Sequence, residues 1–390
     1  MLGVFPTFNF YGSSLLILSL QGLIFGVLIF TRYLKEKNLS DLLLAIVLFI
    51  TCYHQTAYTI GFLGWYDTYR TTKINYYLVN LSLILAPFIF FYIKSILSAS
   101  FKFRRQHIWH FIPGVIFIIT KVIILLYDRL QPGFDDVQNG PLVVSFQWKY
   151  LDPIVFFIST LQMLLYLAFS FQLLYLFRDK VRSYFSNTYK LELRWLQTFL
   201  IAYTILYLFN SFQTVINSMI VDLSWTQEWW YYLLSGISII YVGVKGYYTD
   251  LSELKSVDFA SFQIEAKEEK QQKLSVSEDL IDRKEKLTSF INENKSYLNP
   301  NLTLNSLADE LGTSREELSE TVNQGFNSRF NDFINHYRVK ATKQMIDEGK
   351  HERLSLLGLA YEAGFNSKAT FNRAFKKEEK VSPSEYLNSL

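Results

Sequence analysis

Seven stretches of about 20 or more largely apolar residues fill the first 250 positions, near 10–33, 39–62, 74–97, 107–127, 151–177, 194–220 and 228–248. A helix needs about 20 such residues to cross the hydrocarbon core of a bilayer. In that medium only helices and closed barrels satisfy every backbone polar group internally. The repetition predicts a bundle of seven membrane-spanning helices over 1–250. The first stretch is not expected to be a cleaved leader, because Arg32, Lys35 and Lys37 follow it rather than precede it and no small-residue cleavage site is evident.

Charge divides the chain. Residues 1–250 hold 18 Lys+Arg and 12 Asp+Glu, whereas 251–390 hold 20 and 23. The second part is charged like an ordinary soluble helical domain, so the overall mean hydropathy of +0.13 describes neither part. The chain is 50% apolar and 17% aromatic, which excludes a disordered protein. A single cysteine, Cys52, excludes a disulfide framework and a Cys-based structural zinc site.

Loop charge sets an orientation. The loops after spans one, three and five hold 12 basic residues: Arg32, Lys35, Lys37, then Lys94, Lys102, Arg104, Arg105, then Arg178, Lys180, Arg182, Lys190, Arg194. The opposite loops hold four, Arg70, Lys73, Arg129 and Lys149. Excess Lys/Arg marks the cytoplasmic face, so the N-terminus is expected outside and residues 251–390 inside. Trp65, Trp148, Trp225, Trp229 and Trp230 fit an outer interfacial belt, and Lys121 is expected to snorkel to that side.

Polar side chains within spans are His54 and Gln55, Asn80, Gln162, and Asn210, Gln213 and Asn217 on one face of span six. Two readings are open: inter-helix hydrogen bonding, which is favoured, and a ligand pocket. No run of buried acids and no matched broken helices suggest proton-coupled transport. His107 and His110, at the inner end of span four, read as interfacial histidines rather than metal ligands.

Residues 251–280 are charged, without Pro or Gly and without a sustained heptad, and read as a helical connector. Ser275 and Glu278 form the pattern of a capping box opening the next helix. An internal repeat follows. Leu304, Leu307, Ala308, Leu311 and Gly312 recur as Leu356, Leu359, Ala360, Ala363 and Gly364. In each copy an apolar helix face stops at Gly, and a new helix then begins, with Ser314 and Glu317 as a capping box in one copy and Ser367 as cap in the other. Helix, short turn and amphipathic helix is the helix-turn-helix pattern, here at about 303–324 and 355–378. A long helix from Phe330 to Ile346, ending at Gly349, links the copies.

The segment 281–390 resembles the double helix-turn-helix DNA-binding domain of the AraC/XylS transcription regulators. The match is carried by Ala360-Tyr361-Glu362-Ala363-Gly364-Phe365-Asn366-Ser367, by Phe371-Asn372-Arg373-Ala374-Phe375-Lys376-Lys377, and by Ser382-Pro383-Ser384-Glu385-Tyr386-Leu387. Seven spans where soluble relatives usually have a small-molecule-binding barrel look like the membrane-embedded members of that family in some bacteria. The resemblance implies double-stranded promoter DNA as partner and the bacterial inner membrane as location.

Packing selects the outward face. Phe371, Ala374 and Phe375 share a buried stripe, leaving Lys368, Ala369, Asn372, Arg373, Lys376 and Lys377 outward. Arg and Asn suit base edges and Lys suits phosphate. In the first copy Arg315, Glu316, Ser319, Glu320 and Asn323 face outward, with Arg315, Ser319 and Asn323 as candidate contacts. Family members often carry Arg where Glu320 stands. One basic residue against five acids between Thr303 and Gln324 predicts weak base reading there, and 16 basic against 16 acidic residues over 281–390 predict modest non-specific affinity.

The expectation is therefore an all-α protein: a seven-helix transmembrane sensor (1–250), a connector (251–280) and an AraC-type domain (281–390), acting as a one-component transcription regulator in a lipid bilayer. It senses an unidentified ligand and works as a homodimer. The alternative is a seven-transmembrane receptor whose tail binds a protein. Catalysis, metal and cofactor are not expected: the five glycines of the tail are too dispersed for a nucleotide loop, and no nucleophile–base constellation appears.

Overall fold

The computed structural model describes residues 6–69, 71–98, 101–188, 191–249 and 278–389. The expected connector lies outside the described residues up to position 277, as does Ser275 of its capping box. The chain divides into two compact units, Met1–Leu174 with Arg194–Ser261, and Tyr175–Leu193 with Phe262–Leu390. Among the described residues the regular elements are helical, and one isolated antiparallel bridge joins Phe185 to Thr303.

The first unit contains α1 (Phe10–Glu36), α2 (Leu39–Phe62), the single turns α3 (Trp65–Thr68) and α4 (Ile74–Tyr77), α5 (Ser82–Leu97), α6 (Ile112–Arg129), the greater part of α7 (Asp152–Tyr184), α8 (Arg194–Met219) and α9 (Trp225–Tyr248). Six segments are long and apolar enough to cross a membrane: Phe10–Glu36, Leu39–Phe62, Ile74–Leu97, Arg105–Arg129, Val143–Tyr184 and Arg194–Met219. The seventh expected span, α9, has the length at 24 residues, but Gln227, Glu228 and a run of Trp and Tyr dilute its first half. It nonetheless packs tightly on α1. A Cβ at Gly243 would stand 2.7 Å from the Phe25 side chain, and one at Gly236 would stand 2.8 Å from Leu18. Such close approach through small residues is how helices associate in lipid, where hydrophobic burial offers no drive.

Arg32 ties three helix ends together. Its guanidinium donates to Asp41 Oδ1 at 2.5 Å and Oδ2 at 3.0 Å, and to the carbonyls of Gly246 (3.0 Å) and Tyr247. A cation on the last carbonyls of α9 also meets the negative end of its helix dipole.

The third span is not one helix. It breaks between Tyr77 and Ser82, and side chains of α2 satisfy the freed backbone: Val79 N–H donates to Tyr53 Oη (2.8 Å) and Leu81 N–H donates to His54 Nε2 (2.8 Å). Asn80 Oδ1 accepts from Ser82 N–H at 2.9 Å and so starts α5. Irregular backbone at membrane depth persists only where protein covers it in this way.

Lys121 does not snorkel as expected. It is 5% exposed and donates to Gln147 Oε1 (2.7 Å) and the Asn75 carbonyl (3.1 Å). The neighbouring Asp128 is fully buried and accepts from Tyr76 Oη (2.6 Å), Leu142 N–H (2.8 Å) and Val143 N–H (3.2 Å). Polar partners from the turn α4 (Asn75, Tyr76) and from residues 142–147 reach both groups, which removes the need to extend toward water.

The second unit contains α10 (Glu278–Asn294), α11 (Leu304–Leu311), α12 (Arg315–Glu320) prolonged by a π turn (Thr321–Gly325), α13 (Phe330–Asp347), α14 (Leu356–Glu362), α15 (Lys368–Glu379) and α16 (Pro383–Asn388). It has two cores. Leu287, Ile291, Leu307, Leu318, Phe333 and Ile334 belong to one, and Val339, Ala360, Phe365, Phe371 and Phe375 to the other. The N-terminal half of α13 feeds the first core and its C-terminal half the second, so one helix fixes the spacing of two subdomains. Each of the larger aliphatic and aromatic side chains among these contributes about 1.5–3 kcal/mol on burial.

Candidate nucleic-acid interface

Each subdomain is built by caps and one forced glycine turn. Thr303 caps α11, Ser314 caps α12, Ser355 caps α14 and Ser367 caps α15, each accepting a backbone N–H three residues on. Half of the expected Ser314–Glu317 box forms: Ser314 Oγ accepts from Glu317 N–H, but the Glu317 carboxylate accepts from Thr313 Oγ1 at 2.5 Å instead of reaching back to the cap. Gly364 sits at φ +90°, and a Cβ there would lie 2.4 Å from the Tyr297 carbonyl oxygen. The turn of the second copy therefore requires glycine both for its backbone and for its packing against the first subdomain.

On α15, Phe371, Ala374 and Phe375 are buried, while Lys368, Ala369, Asn372, Lys376 and Lys377 are exposed. Lys377 pairs with Asp332 of α13 at 2.9 Å. Arg373 is half-buried and engaged. Its Nη1 meets Glu192 Oε2 at 3.1 Å and Oε1 at 3.3 Å. Glu192 is 2% exposed and also accepts from Thr188 Oγ1 (2.9 Å) and Arg182 Nε (3.3 Å). Burial pushes its carboxyl up, but the Arg373 guanidinium, the Thr188 hydroxyl and Arg182 outweigh burial and hold it down at about 2.

The first copy is arranged differently. Arg315 is half-buried, pairs with Glu316 at 2.8 Å and lies over the Tyr184 ring at 5.6 Å. Asn323, in the π turn, is exposed and donates to Ser319 Oγ at 3.3 Å. Glu320, the acid expected to repel phosphate, is paired with Arg283 of α10 at 3.1 Å. The acidity of this copy is thus partly offset from an adjacent helix, which spacing within the motif does not reveal.

The segment 175–193 is what sequence reasoning missed. Its four basic residues, Arg178, Lys180, Arg182 and Lys190, read as those of a cytoplasmic connection, which hides the role of Asp179, Ser186 and Glu192 in the second unit. The weak signal is an acid, Glu192, within a basic loop.

The polar residues of the spans mostly satisfy backbone. His54 and Asn80 serve the break before α5, Gln55 Nε2 donates to the Tyr232 carbonyl (3.1 Å), Gln213 Nε2 donates to the Gln227 carbonyl (3.1 Å), and Asn217 Oδ1 accepts from Leu223 N–H (2.8 Å). Asn210 is half-buried on α8. Of the seven polar residues expected within the spans, Gln162 alone lines an open groove of about 700 Å³ in this unit, where its polar neighbours are Lys94, His107, His110 and Tyr166. Among the described residues no group of three or more His, Cys, Asp or Glu is placed to hold a metal ion.

Residues 307–389 match the family model described as a helix-turn-helix domain. A protein named histidine kinase P4, from Formosa agariphila, is 27% identical over 114 residues, which are 29% of this chain and 8% of that protein. The chain thus spans under a tenth of the length of this curated relative. No solved structure matches. With its paired capped helices, the C-terminal domain is a helix-turn-helix domain of the AraC type, the DNA-binding module of transcription regulators. The protein joins that module to a set of apolar helices fit for a membrane.

Proposed function

We propose that this chain is a membrane-bound one-component transcription regulator that senses a signal through its N-terminal helices and binds promoter DNA through α12 and α15. The observation that carries the reading is the exposed Lys368, Asn372 and Lys376 on a capped helix whose opposite face is buried. Arg373 and Asn372 are the base readers, Lys368, Lys376 and Lys377 hold phosphate, and Arg315, Ser319 and Asn323 supply the weaker first copy. The start of α1 lies outside, α9 is the seventh span, and 281–390 is cytoplasmic at the bacterial inner membrane. The 12-to-four basic asymmetry supports this topology.

Two protomers bind one promoter. A domain with equal numbers of acids and bases binds a single site weakly, and pairing two copies raises effective concentration, gaining about 10²–10⁴ in affinity without any new contact. Chromatin immunoprecipitation with sequencing of the intact protein tests the reading. Recovery of discrete upstream sites that vanish with Arg373→Ala is expected, and uniform genomic background would overturn it.

A further inference from the structure

The last ten residues of α7 and the segment that joins it to α8 belong to the second unit and contact both helix-turn-helix motifs and the helix that links them. Its backbone pairs with the first helix-turn-helix: Phe185 bridges to Thr303, and Ser186 donates to the Leu302 carbonyl through N–H (3.2 Å) and Oγ (2.6 Å). On the linking helix α13, Asn331 Nδ2 donates to the Ser186 carbonyl at 2.5 Å, and Arg338 Nη2 donates to Ser186 Oγ at 3.1 Å. Asp179 forms an ion pair with Arg329. Ser186 and Thr188 are fully buried.

Two of these contacts fall on the reading face. Tyr184 lies beneath the Arg315 guanidinium, and Glu192 holds Arg373. A buried carboxylate on a guanidinium presents to it two acceptors, as a guanine edge does, together with the negative charge of a phosphate. Glu192 also places a negative charge where the DNA backbone would approach.

We infer that residues 175–188 with 191–193 form an intramolecular clamp docked on the DNA-reading surface, with Glu192 occupying Arg373 and Tyr184 occupying Arg315, so that DNA and the clamp compete. This rests on the assignment of α15 as the base-reading helix. The clamp is joined at both ends to candidate membrane spans, α7 and α8, so a signal received by those helices has a direct covalent route to the competing segment. Competition lowers apparent DNA affinity by the fraction of chains whose clamp is released. Removing clamp contacts without altering the reader should therefore strengthen binding.

The test uses the full chain in lipid nanodiscs and, as probe, a duplex enriched on that chain from a random-sequence pool. Glu192→Gln removes the charge on Arg373, and Asp179→Asn removes a clamp contact remote from the reader, so the second variant guards against misfolding of the first. Both should tighten duplex binding by about tenfold or more, while Arg373→Ala weakens it. In a second measurement, trypsin cleavage after Arg178, Lys180 and Arg182 should rise when the duplex is added. Unchanged affinity in both clamp variants, with Arg373→Ala still weakening binding, would overturn the clamp and leave the DNA-binding assignment standing. So would a segment that stays protected while DNA is bound. Binding indifferent to Arg373→Ala would overturn the assignment of α15 itself, and no duplex retained by any variant would overturn both.

Discussion

Arg283 on α10 donates to Glu320 on α12 at 3.1 Å and lies 3.9 Å from Glu317, so one guanidinium from outside the motif answers two acids of the first recognition helix. The pair is part-exposed, which limits it to about 0.5–1 kcal/mol of stability. Its larger effect is on the field that a phosphate meets.

Arg283→Ala should therefore weaken binding to all duplexes alike, by about 1 kcal/mol at low salt, and adding Glu320→Gln should restore most of the loss. Fluorescence anisotropy across a salt series checks this. Additive losses in the double variant would show that Glu320 does not face the DNA.

Arg373→Ala should cost about 1–3 kcal/mol on the preferred duplex and relax preference at one base pair. Lys376→Ala should weaken every sequence and lower the salt slope by about one. Footprints of the two variants on a site series separate the effects.

Reporter fusions after Lys37, Arg105 and Lys190 should all report cytoplasm, and one after Val221 should report the exterior. A fusion after Thr249 should return to the cytoplasm, because α9 crosses. An exterior readout at any two of the three cytoplasmic positions sinks this topology. An exterior readout at both Val221 and Thr249 would remove α9 from the spans.

The His54 ring accepts the Leu81 N–H across the break in the third span. His54→Ala leaves that donor without a partner and should destabilise the bundle by about 1–3 kcal/mol. Detergent-resistance and thermal melts measure the loss. Equal melting of the variant and the parent would mean that the break satisfies itself.

Glu192 is held at about 2, below the ordinary carboxylate value, by Arg373, Thr188 and Arg182 against the opposing effect of burial. A depressed folded-state value contributes stability that is present above the unfolded value, about 4.3, and is lost as pH falls toward 2. Protection of the amides around Ser186 and Thr188, taken relative to the intrinsic exchange rate at each pH, should therefore fall from about pH 4.3 downward. In Glu192→Gln that pH-dependent loss of protection should be absent.

The two helix-turn-helix motifs were legible because their signals are local: repeat spacing, Gly312 and Gly364 at the turns, Ser and Thr caps, and Phe371 and Phe375 one turn apart. The apolar spans were legible for the same reason, since twenty apolar residues in a row fit little else. The break before Ser82 was not, because it depends on Tyr53 and His54 arriving from another helix. Lys121 was misjudged because Gln147 and Asn75 lie far from it in sequence. Glu192 was hidden by its neighbours: charge counting averages over a loop, whereas the contact with Arg373 spans 181 positions.

Helix α7 runs 33 residues without interruption, from Asp152 to Tyr184. At 1.5 Å per residue it is about 50 Å long, against a hydrocarbon core of about 30 Å. Under the topology proposed above, tilt absorbs only part of the excess, and its last turns, with Asp179 and Arg182, stand in water. A rod of that length converts angle into distance: a tilt on the order of 10° swings a tip about 20 Å beyond the bilayer through about 3 Å. That is enough to break the ion pairs made by those last turns, whose contacts tolerate far less. Under the proposed function, a signal in the spans thus reaches the clamp through one continuous helix, whose length serves as a lever.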